Sequence, residues 1–236
     1  MYDPIETDVS YEYMLKLRES LKNLRFAIIG GWGVFLHVKK EYQRAFGKEY
    51  LRSRDIDIFV DYKEESNFLK IIKCLGFIES AYKFRYELVY DREEKKIISP
   101  EQAKKRFIFN LIYIFLDVFS NKETKTLGSW FIPDLEKAQI EKIEEFPVLN
   151  IDSLLQLKTA SFFEREKLDK ELKDACDIFA LLFYSEKKFS SNLMVRKVIE
   201  KIITRYDLQE YIAENVLGDI SKTGLVVGML KGLRKG

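Results

Sequence analysis

The chain has 236 residues, of which 47% are hydrophobic and 33% are charged, and its formal net charge is +2. This is the composition of a globular protein, and it carries no overall charge that would indicate a nucleic-acid or membrane partner. No apolar run reaches the roughly 18 residues that a membrane span needs, and the acidic start MYDPIETDVS is unlike a signal sequence. Cys74 and Cys176 lie in apolar helical patterns typical of buried thiols. We therefore expect a cytoplasmic protein with no membrane partner.

The first sixty residues predict alternating helices and strands. A helix is predicted over 8–24, where apolar residues recur at helical spacing, and a short buried strand over 26–29. Two adjacent glycines follow, and then a helix over 32–42. The basic and aromatic segment 43–53 is predicted to be a loop. Strict alternation and β-branched residues predict a strand over 55–61.

The character of the sequence changes near Pro147, after which strand signals become rare and helical periodicity dominates. We therefore predict two domains, 1–147 with helices and strands and 148–236 with helices only. The remaining predicted elements are a helix over 66–77, strands over 82–91 and 107–120, and helices over 150–166, 169–186 and 191–206.

Two carboxylates share one face of the strand over 55–61. Residues i and i+2 of a strand point to the same side, so Asp55 and Asp57 project together. Adjacent carboxylates repel unless a cation lies between them. Mg²⁺ takes one or two carboxylates and completes its shell with phosphate oxygens and water. A solvated acidic face on an edge strand is the alternative explanation.

Gly30 and Gly31 lie between a predicted strand and a predicted helix. Glycine lets the backbone leave a strand in a conformation that other residues resist, and the free N–H groups of a helix start can hold phosphate. A tight turn without a ligand is the alternative. The segment is no P-loop, because no Gly-Lys-Ser/Thr follows, and it lacks the third glycine of the dinucleotide fingerprint. Taken together, the glycine turn and the pair of aspartates predict a site in which backbone N–H groups that bind phosphate lie beside carboxylates that bind a metal ion.

The segments IIGGWGVFLH and RDIDIFV resemble the signature of the nucleotidyltransferase superfamily, the relatives of DNA polymerase β. The form GGW is similar to aminoglycoside nucleotidyltransferases and to the AbiEii-type group of toxin-like transferases. The resemblance implies an α/β (α+β) nucleotidyltransferase core with a mixed sheet over 1–147, followed by a C-terminal helical bundle. It also implies Mg²⁺ or Mn²⁺ as the cofactor and a nucleoside triphosphate as the substrate.

The resemblance further implies a third carboxylate on a neighbouring strand, and Asp117 in IYIFLDVFS is the best match. An unpaired charge in an apolar strand is costly, so Asp117 needs either a metal or an Arg or Lys partner. Asp91 and Asp134 are competitors, but neither lies in an apolar run. The predicted catalytic and metal-binding residues are Asp55, Asp57 and Asp117, and the predicted nucleotide-binding residues in this half are Gly30, Gly31 and Arg54.

The helical half contains a second resemblance, to the AbiEii-like pattern of a Leu-Leu-x-x-Lys helix followed by Lys-Asp-x-x-Asp. Lys158 matches the first motif, and Asp174 and Asp177, which share a helix face, match the second. The resemblance implies that all three bind the nucleotide. Lys158 would reach the triphosphate, and the aspartates would orient Lys158 or Arg165 or contact the base. An interhelical ion-pair cluster explains the same spacing.

The implied activity is transfer of a nucleoside monophosphate from a triphosphate to an acceptor hydroxyl, with release of pyrophosphate. An RNA 3′ end such as that of tRNA, a small molecule or a protein side chain all remain possible acceptors. The Lys, Arg and Tyr residues of VKKEYQR and KEYLRSR could hold RNA phosphates and stack bases, and a solvated charged loop explains them equally well.

The distance along the chain from Gly31 to Asp55 is longer than in the family pattern, and the excess falls in 43–53. An enlarged loop there would hold the acceptor or cover the nucleotide. It also leaves open a catalytically inactive nucleotide-binding protein, acting as a regulator or as a toxin–antitoxin component with a cognate antitoxin. An α/β protein with coincidental motifs is the third possibility.

Overall fold

The structure is a computed structural model that describes residues 3–122, 124, 139–187, 189 and 192–233. The helices in these residues are α1 Pro4–Ser20, α2 Gly30–Phe46, α3 Glu65–Cys74, α4 Pro100–Ala103, α5 Ile151–Glu164, α6 Leu168–Tyr184, α7 Leu193–Thr204, α8 Tyr206–Asn215 and α9 Thr223–Leu233. The strands are β1 Phe26–Ile28, β2 Ile56–Val60, β3 Ile78–Glu79, β4 Arg85–Asp91, β5 Lys96–Ile98, β6 Leu111–Ser120, β7 Ile140–Ile143 and β8 Phe146–Leu149.

The described strands form one mixed sheet, in the order β3-β4-β6-β2-β1-β8-β7, with β5 paired to β4. The pairs β2–β6 and β1–β8 are parallel, and the other pairs are antiparallel. The predicted fold class is thereby confirmed, because a mixed sheet with helices comes first and a helical region follows it.

The chain divides into two compact units. The first comprises the described residues of 1–33 and 51–149, which include the whole sheet, and the second those of 34–50 and 150–236. The sequence predicts a single cut between 147 and 148. The observed cut after Leu149 lies close to it, but 34–50 belongs with the helical unit.

Strand β6 shows why the two faces of the sheet differ. Its even-numbered residues Ile112, Ile114, Leu116 and Val118 are buried, and helix α1 packs against this strand. The odd-numbered residues point to the opposite face, where Tyr113 is exposed. Because the side-chain period of a strand is two, Asp117 shares its face with Tyr113 and not with the apolar core.

Helix α2 is longer than the sequence predicts, and this corrects the assignment of 43–53 as a loop. The helix continues to Phe46, whose ring lies 4.6 Å from that of Tyr42, centroid to centroid. Gly47 follows the last helical residue and has a φ of +68°, the left-handed conformation that glycine adopts readily after a helix. Part of the predicted enlarged loop is therefore an additional helical turn.

The hairpin of β7 and β8 is absent from the sequence prediction. Its turn places Glu144 and Glu145 at positive φ, although glycine or asparagine is the usual signal for such a turn. Pro147 lies inside β8, opposite Lys142 of β7, and not in a linker.

Two simpler findings concern cysteine and membranes. Cys176 is buried, but Cys74 is exposed, so the expectation of two buried thiols is wrong for Cys74. Among the described residues, none of the helices has the length and apolar character needed to cross a bilayer.

Candidate active site

The three predicted acids come together through the pairing of β2 with β6. The parallel register places Asp57 directly opposite Asp117, and Asp55 lies just before the first residue of β2. Neighbouring strands are about 4.8 Å apart, so two carboxylates occupy adjacent positions on one face of the sheet. Of these, Asp117 is 7% exposed.

Gly30 begins α2 and lies against Asp57. Its φ is +59°, and a Cβ atom built at this position would overlap the Asp57 carboxylate. The backbone N–H of the preceding Ile29 donates to the carbonyl oxygen of Asp57 at 2.9 Å. The start of α2, where Gly30 and Gly31 lie, is therefore beside an acid of the cluster. Helix N-termini attract anions through their free N–H groups and the helix dipole.

Asp117 has an arginine partner. Arg85 of β4 faces it in the antiparallel register. Its Nε donates to Oδ1 and its Nη2 to Oδ2, both at 2.7 Å. This is a bidentate guanidinium–carboxylate pair, the stronger kind of charged hydrogen bonding. Of the two partners that the sequence leaves open for Asp117, a metal or a basic side chain, the structure supplies an arginine.

The pKa of Arg85 lies above its ordinary value, first because of the hydrogen bonds to Asp117. Its burial acts in the opposite direction, and the charges of Asp117, Asp55 and Asp57 raise the pKa further. The guanidinium of Arg85 is thus within electrostatic reach of all three acids. The sequence prediction did not include it, because nothing local to residue 85 indicates that it faces an acid 32 positions further along the chain.

A second arginine and an aromatic ring complete this part of the site. The Nε of Arg54 donates to Oδ1 of Asp55 at 3.1 Å. The guanidinium carbons of Arg85 and Arg54 lie 4.6 Å and 6.0 Å from the ring centroid of Phe115. Arginine over an aromatic face is a favourable cation–π arrangement. Arg54, predicted to bind nucleotide, is placed beside the acids.

The donor set fits a divalent cation only in part. Asp55 and Asp57 are the pair of carboxylate ligands that Mg²⁺ commonly takes. Asp117 already accepts two hydrogen bonds from Arg85. Within the described residues, no group of three or more His, Cys, Asp or Glu side chains is arranged to hold a metal ion. The pair Asp55 and Asp57 therefore suits one ion, and the predicted metal role of Asp117 requires Arg85 to move away.

The two competitors for the third acid lie elsewhere. Asp91 is at the far end of β4, where its carboxylate accepts from the backbone N–H groups of Glu93 and Glu94 and pairs with Arg106 Nε at 3.0 Å. Asp134 lies outside the described residues. Asp91 has a role in closing the turn after its own strand.

The second predicted cluster lies in the helical unit and is an interhelical ion-pair network. The Nζ of Lys158 on α5 donates to Asp174 at 3.0 Å and to Asp177 at 2.6 Å, both on α6. Arg165 Nε donates to Asp174 at 2.8 Å, and the hydroxyl of Tyr50 donates to Asp177 at 3.0 Å. The structure thus shows the ion-pair arrangement that the sequence leaves open. The nucleotide contact of these three side chains stays a prediction.

Burial and charge act in opposite directions on this network. Burial disfavours the charged form of Lys158, but Asp177 and Asp174 outweigh it, so the Lys158 pKa lies well above its ordinary value. Burial likewise opposes the ionised form of Asp174, but Lys158 and Arg165 hold the Asp174 pKa below its ordinary value. The cluster is therefore fully ionised near neutral pH at Lys158 and Asp174.

In the basic and aromatic segment predicted to contact RNA, the tyrosine side chains are not accessible to a ligand. Tyr42 and Tyr50 are buried, and Tyr42 donates its hydroxyl proton to the carbonyl of Val216 at 2.6 Å. Arg44 is paired with Glu41 at 2.6 Å. Stacking of bases on Tyr42 and Tyr50 is therefore incompatible with this structure, because both rings are enclosed.

No protein-family model and no curated protein matches the sequence. Among solved structures, the chain is similar to JHP933 from Helicobacter pylori, with a TM-score of 0.55 and 13% identity over 99% of this chain and 93% of that one. It is also similar to an antigenic nucleotidyltransferase-like protein from Paracoccidioides brasiliensis, with a TM-score of 0.46 and 17% identity over 89% and 93%. A third is the lincosamide antibiotic adenylyltransferase LnuA, bound to lincomycin, with a TM-score of 0.40 and 17% identity over 75% and 96%. The chain therefore shares the fold of JHP933.

Proposed function

We propose that this chain is a nucleotidyltransferase that moves a nucleoside monophosphate from a nucleoside triphosphate to an acceptor hydroxyl. The observation that carries the proposal is the register of β2 and β6, which places Asp57 beside Asp117 while the Gly30 turn lies against Asp57. Acids and a helix start are thereby adjacent, as binding of a metal-bound triphosphate requires.

Each residue has a defined part in the proposal. Asp55 and Asp57 would hold Mg²⁺, which would supply positive charge to the triphosphate oxygens and to the leaving group. Gly30 and Gly31 let the phosphates approach the backbone N–H groups at the start of α2. Arg54, beside Asp55, adds positive charge for the phosphates.

The transfer itself is a substitution at the α-phosphorus. The acceptor oxygen forms a bond to that phosphorus, the bond to the bridging oxygen of the β-phosphate breaks, and pyrophosphate leaves. The acceptor hydroxyl gives its proton to a carboxylate of the cluster. The acceptor is an RNA 3′ end, a small molecule or a protein side chain, and a cognate antitoxin is a further possible partner.

The test is transfer of radiolabel from each α-³²P-labelled nucleoside triphosphate, with Mg²⁺ or Mn²⁺, to the RNA, protein and small-molecule fractions of a cell extract. We expect the wild type to label one fraction and Asp57→Asn to lose at least a hundredfold in rate, because a neutral amide removes an anionic ligand. Full activity of the Asp57 variant would refute the proposal.

A matched control is Asp61→Asn, which makes the same chemical change one residue after β2. Asp61 pairs with Arg25 at 3.1 Å and accepts from the N–H of Lys63, so it has a structural role of its own. We expect this variant to keep its transfer activity at a temperature at which circular dichroism shows it folded.

The alternative is a nucleotide-binding protein without turnover, and the Arg85–Asp117 pair is the observation that favours it. An arginine that occupies the third acid removes one metal ligand from the set that the resemblance implies. Tight binding of Mg²⁺ and nucleotide by the wild type, with no label in any fraction, would support this alternative over transfer.

A further inference from the structure

The acid cluster contains a positive charge of its own, built into the sheet. Arg85 stands opposite Asp117 across the β4–β6 pair, and both oxygens of Asp117 accept from it at 2.7 Å. The Asp117 side chain is 10% exposed and that of Arg85 26%. The ion pair of Arg85 and Asp117 is therefore bidentate and largely buried.

Aromatic rings hold the Arg85 guanidinium in place. Its central carbon lies 4.6 Å from the ring centroid of Phe115, 5.8 Å from that of Phe84 and 6.0 Å from that of Tyr82. Stacking against aromatic faces and a bidentate carboxylate both restrict a guanidinium. Moving Arg85 away from Asp117 would break both kinds of contact and leave a buried carboxylate without a partner.

A divalent cation on Asp117 would meet this fixed charge. The guanidinium occupies both oxygens of the Asp117 carboxylate, so an ion coordinated by either oxygen would lie next to a like charge. The remaining acids of the cluster are Asp55, which accepts from Arg54 at Oδ1, and Asp57, which lies against the glycine turn. Two carboxylates are a set that Mg²⁺ commonly takes in proteins.

We propose that Arg85 takes the place of one metal ion in this site, so that the cluster binds a single divalent cation, on Asp55 and Asp57, and Asp117 serves as the anchor of Arg85. This inference rests on the proposed function. Arg85 is a positioning residue that supplies a permanent positive charge where the resemblance implies a second ion. The raised pKa of Arg85, to which all three acids contribute, is consistent with this role.

The test is the number of Mn²⁺ ions bound per chain, counted by titration of the protein with Mn²⁺ alone and electron paramagnetic resonance of the free ion. We expect one ion in the wild type and two in Arg85→Gln, because the neutral amide releases Asp117 as a ligand. The double variant Arg85→Gln with Asp117→Asn should return to one. Arg85→Lys, which keeps the charge, should also bind one.

Two ions in the wild type, none in the wild type, or an unchanged count in a folded Arg85→Gln would each overturn the inference. If Arg85→Gln does not fold, the numbers of Mn²⁺ ions bound by the wild type and by Arg85→Lys test the inference, and a number other than one in either protein would overturn it. The proposed function is tested separately: it fails if the wild-type protein transfers no label from any nucleoside triphosphate. An active enzyme with two bound ions would refute the role of Arg85 and leave the transferase proposal standing.

Discussion

At the scale of single residues, the contact between Gly30 and Asp57 makes the sharpest prediction. Gly30 combines a φ of +59° with a site where a Cβ atom would overlap the Asp57 carboxylate. Gly47 has a similar φ of +68° but open space around it. Alanine at Gly47 therefore suffers only the left-handed backbone penalty, about 1–2 kcal/mol, and alanine at Gly30 suffers that penalty and a collision.

We accordingly expect Gly30→Ala to lower the free energy of unfolding by clearly more than Gly47→Ala does, in urea denaturation followed by circular dichroism. The double variant Gly30→Ala with Asp57→Ala should recover part of the loss, because the colliding group is gone, and the double-mutant cycle isolates that term. If Gly30→Ala and Gly47→Ala lower the free energy of unfolding equally, the Asp57 carboxylate does not lie against Gly30.

The sequence predicts the Gly30 turn and the acids but not the Arg85 contact. Glycine after a strand and alternating aspartates are local signals, readable over two or three residues. The Arg85–Asp117 pair depends on the register of β4 with β6, which is set by the apolar alternation of both strands together. A pairing of that kind has no signature near either residue.

At the scale of elements, β6 allows a test of the two faces of the sheet. Leu116 is 0% exposed and Tyr113 is 37% exposed. Leu116→Ala should cost about 2–5 kcal/mol through the lost burial and the cavity. Tyr113→Ala, on the other face of the same strand, should cost about 1 kcal/mol or less. Urea denaturation of both variants measures the difference, and a larger loss at Tyr113 would mean that the assigned register is shifted by one residue.

Element prediction succeeds where a pattern is long and fails where it is short or charged. The period of two in β6 and the apolar periodicity of α5 and α6 are visible in the sequence. The hairpin of β7 and β8 is not, because its strands are four residues each and its turn uses two glutamates. Pro147 coincides with the change to helical periodicity in the sequence, yet it lies inside β8.

At the scale of the whole molecule, the ion pairs of the helical unit predict how stability responds to acid. The Asp174 pKa is lowered despite burial, by Lys158 and Arg165, and the Glu171 pKa is lowered despite burial, by Lys201 and Arg205. A carboxyl whose pKa is lowered by folding stabilises the folded protein in full when the pH is above the pKa of that carboxyl in the unfolded chain. That unfolded-state pKa is about 3.9 for Asp and about 4.3 for Glu. That contribution is lost as pH falls through the folded-state value.

We therefore expect the free energy of unfolding to fall from about pH 5 downward, measured by urea denaturation at a series of pH values. Asp174→Asn should be less stable than the wild type at pH 7 by about 3–5 kcal/mol, because it removes one partner of a buried ion pair. The gap between the two proteins should narrow as the pH falls, since the wild-type carboxyl then becomes protonated. A gap independent of pH would show that Asp174 is not ionised in the folded protein.

The division into units is also a property of the whole chain that the sequence does not reveal. The helical character of 150–236 is visible as periodicity. The membership of 34–50 in the same unit is not, because it rests on contacts distant in sequence, such as the hydrogen bond from Tyr50 to Asp177.

The close approach of Gly30 to Asp57 also has a consequence for how this sequence can change over generations. As long as an aspartate stands at 57, any β-carbon at 30 meets its carboxylate, so the two positions form a linked pair of constraints. A lineage that loses the acid is released from the requirement at 30, except for the backbone preference. We expect descendants that keep the aspartate to keep the glycine, and those that lose it to accumulate asparagine or other residues tolerant of positive φ at position 30.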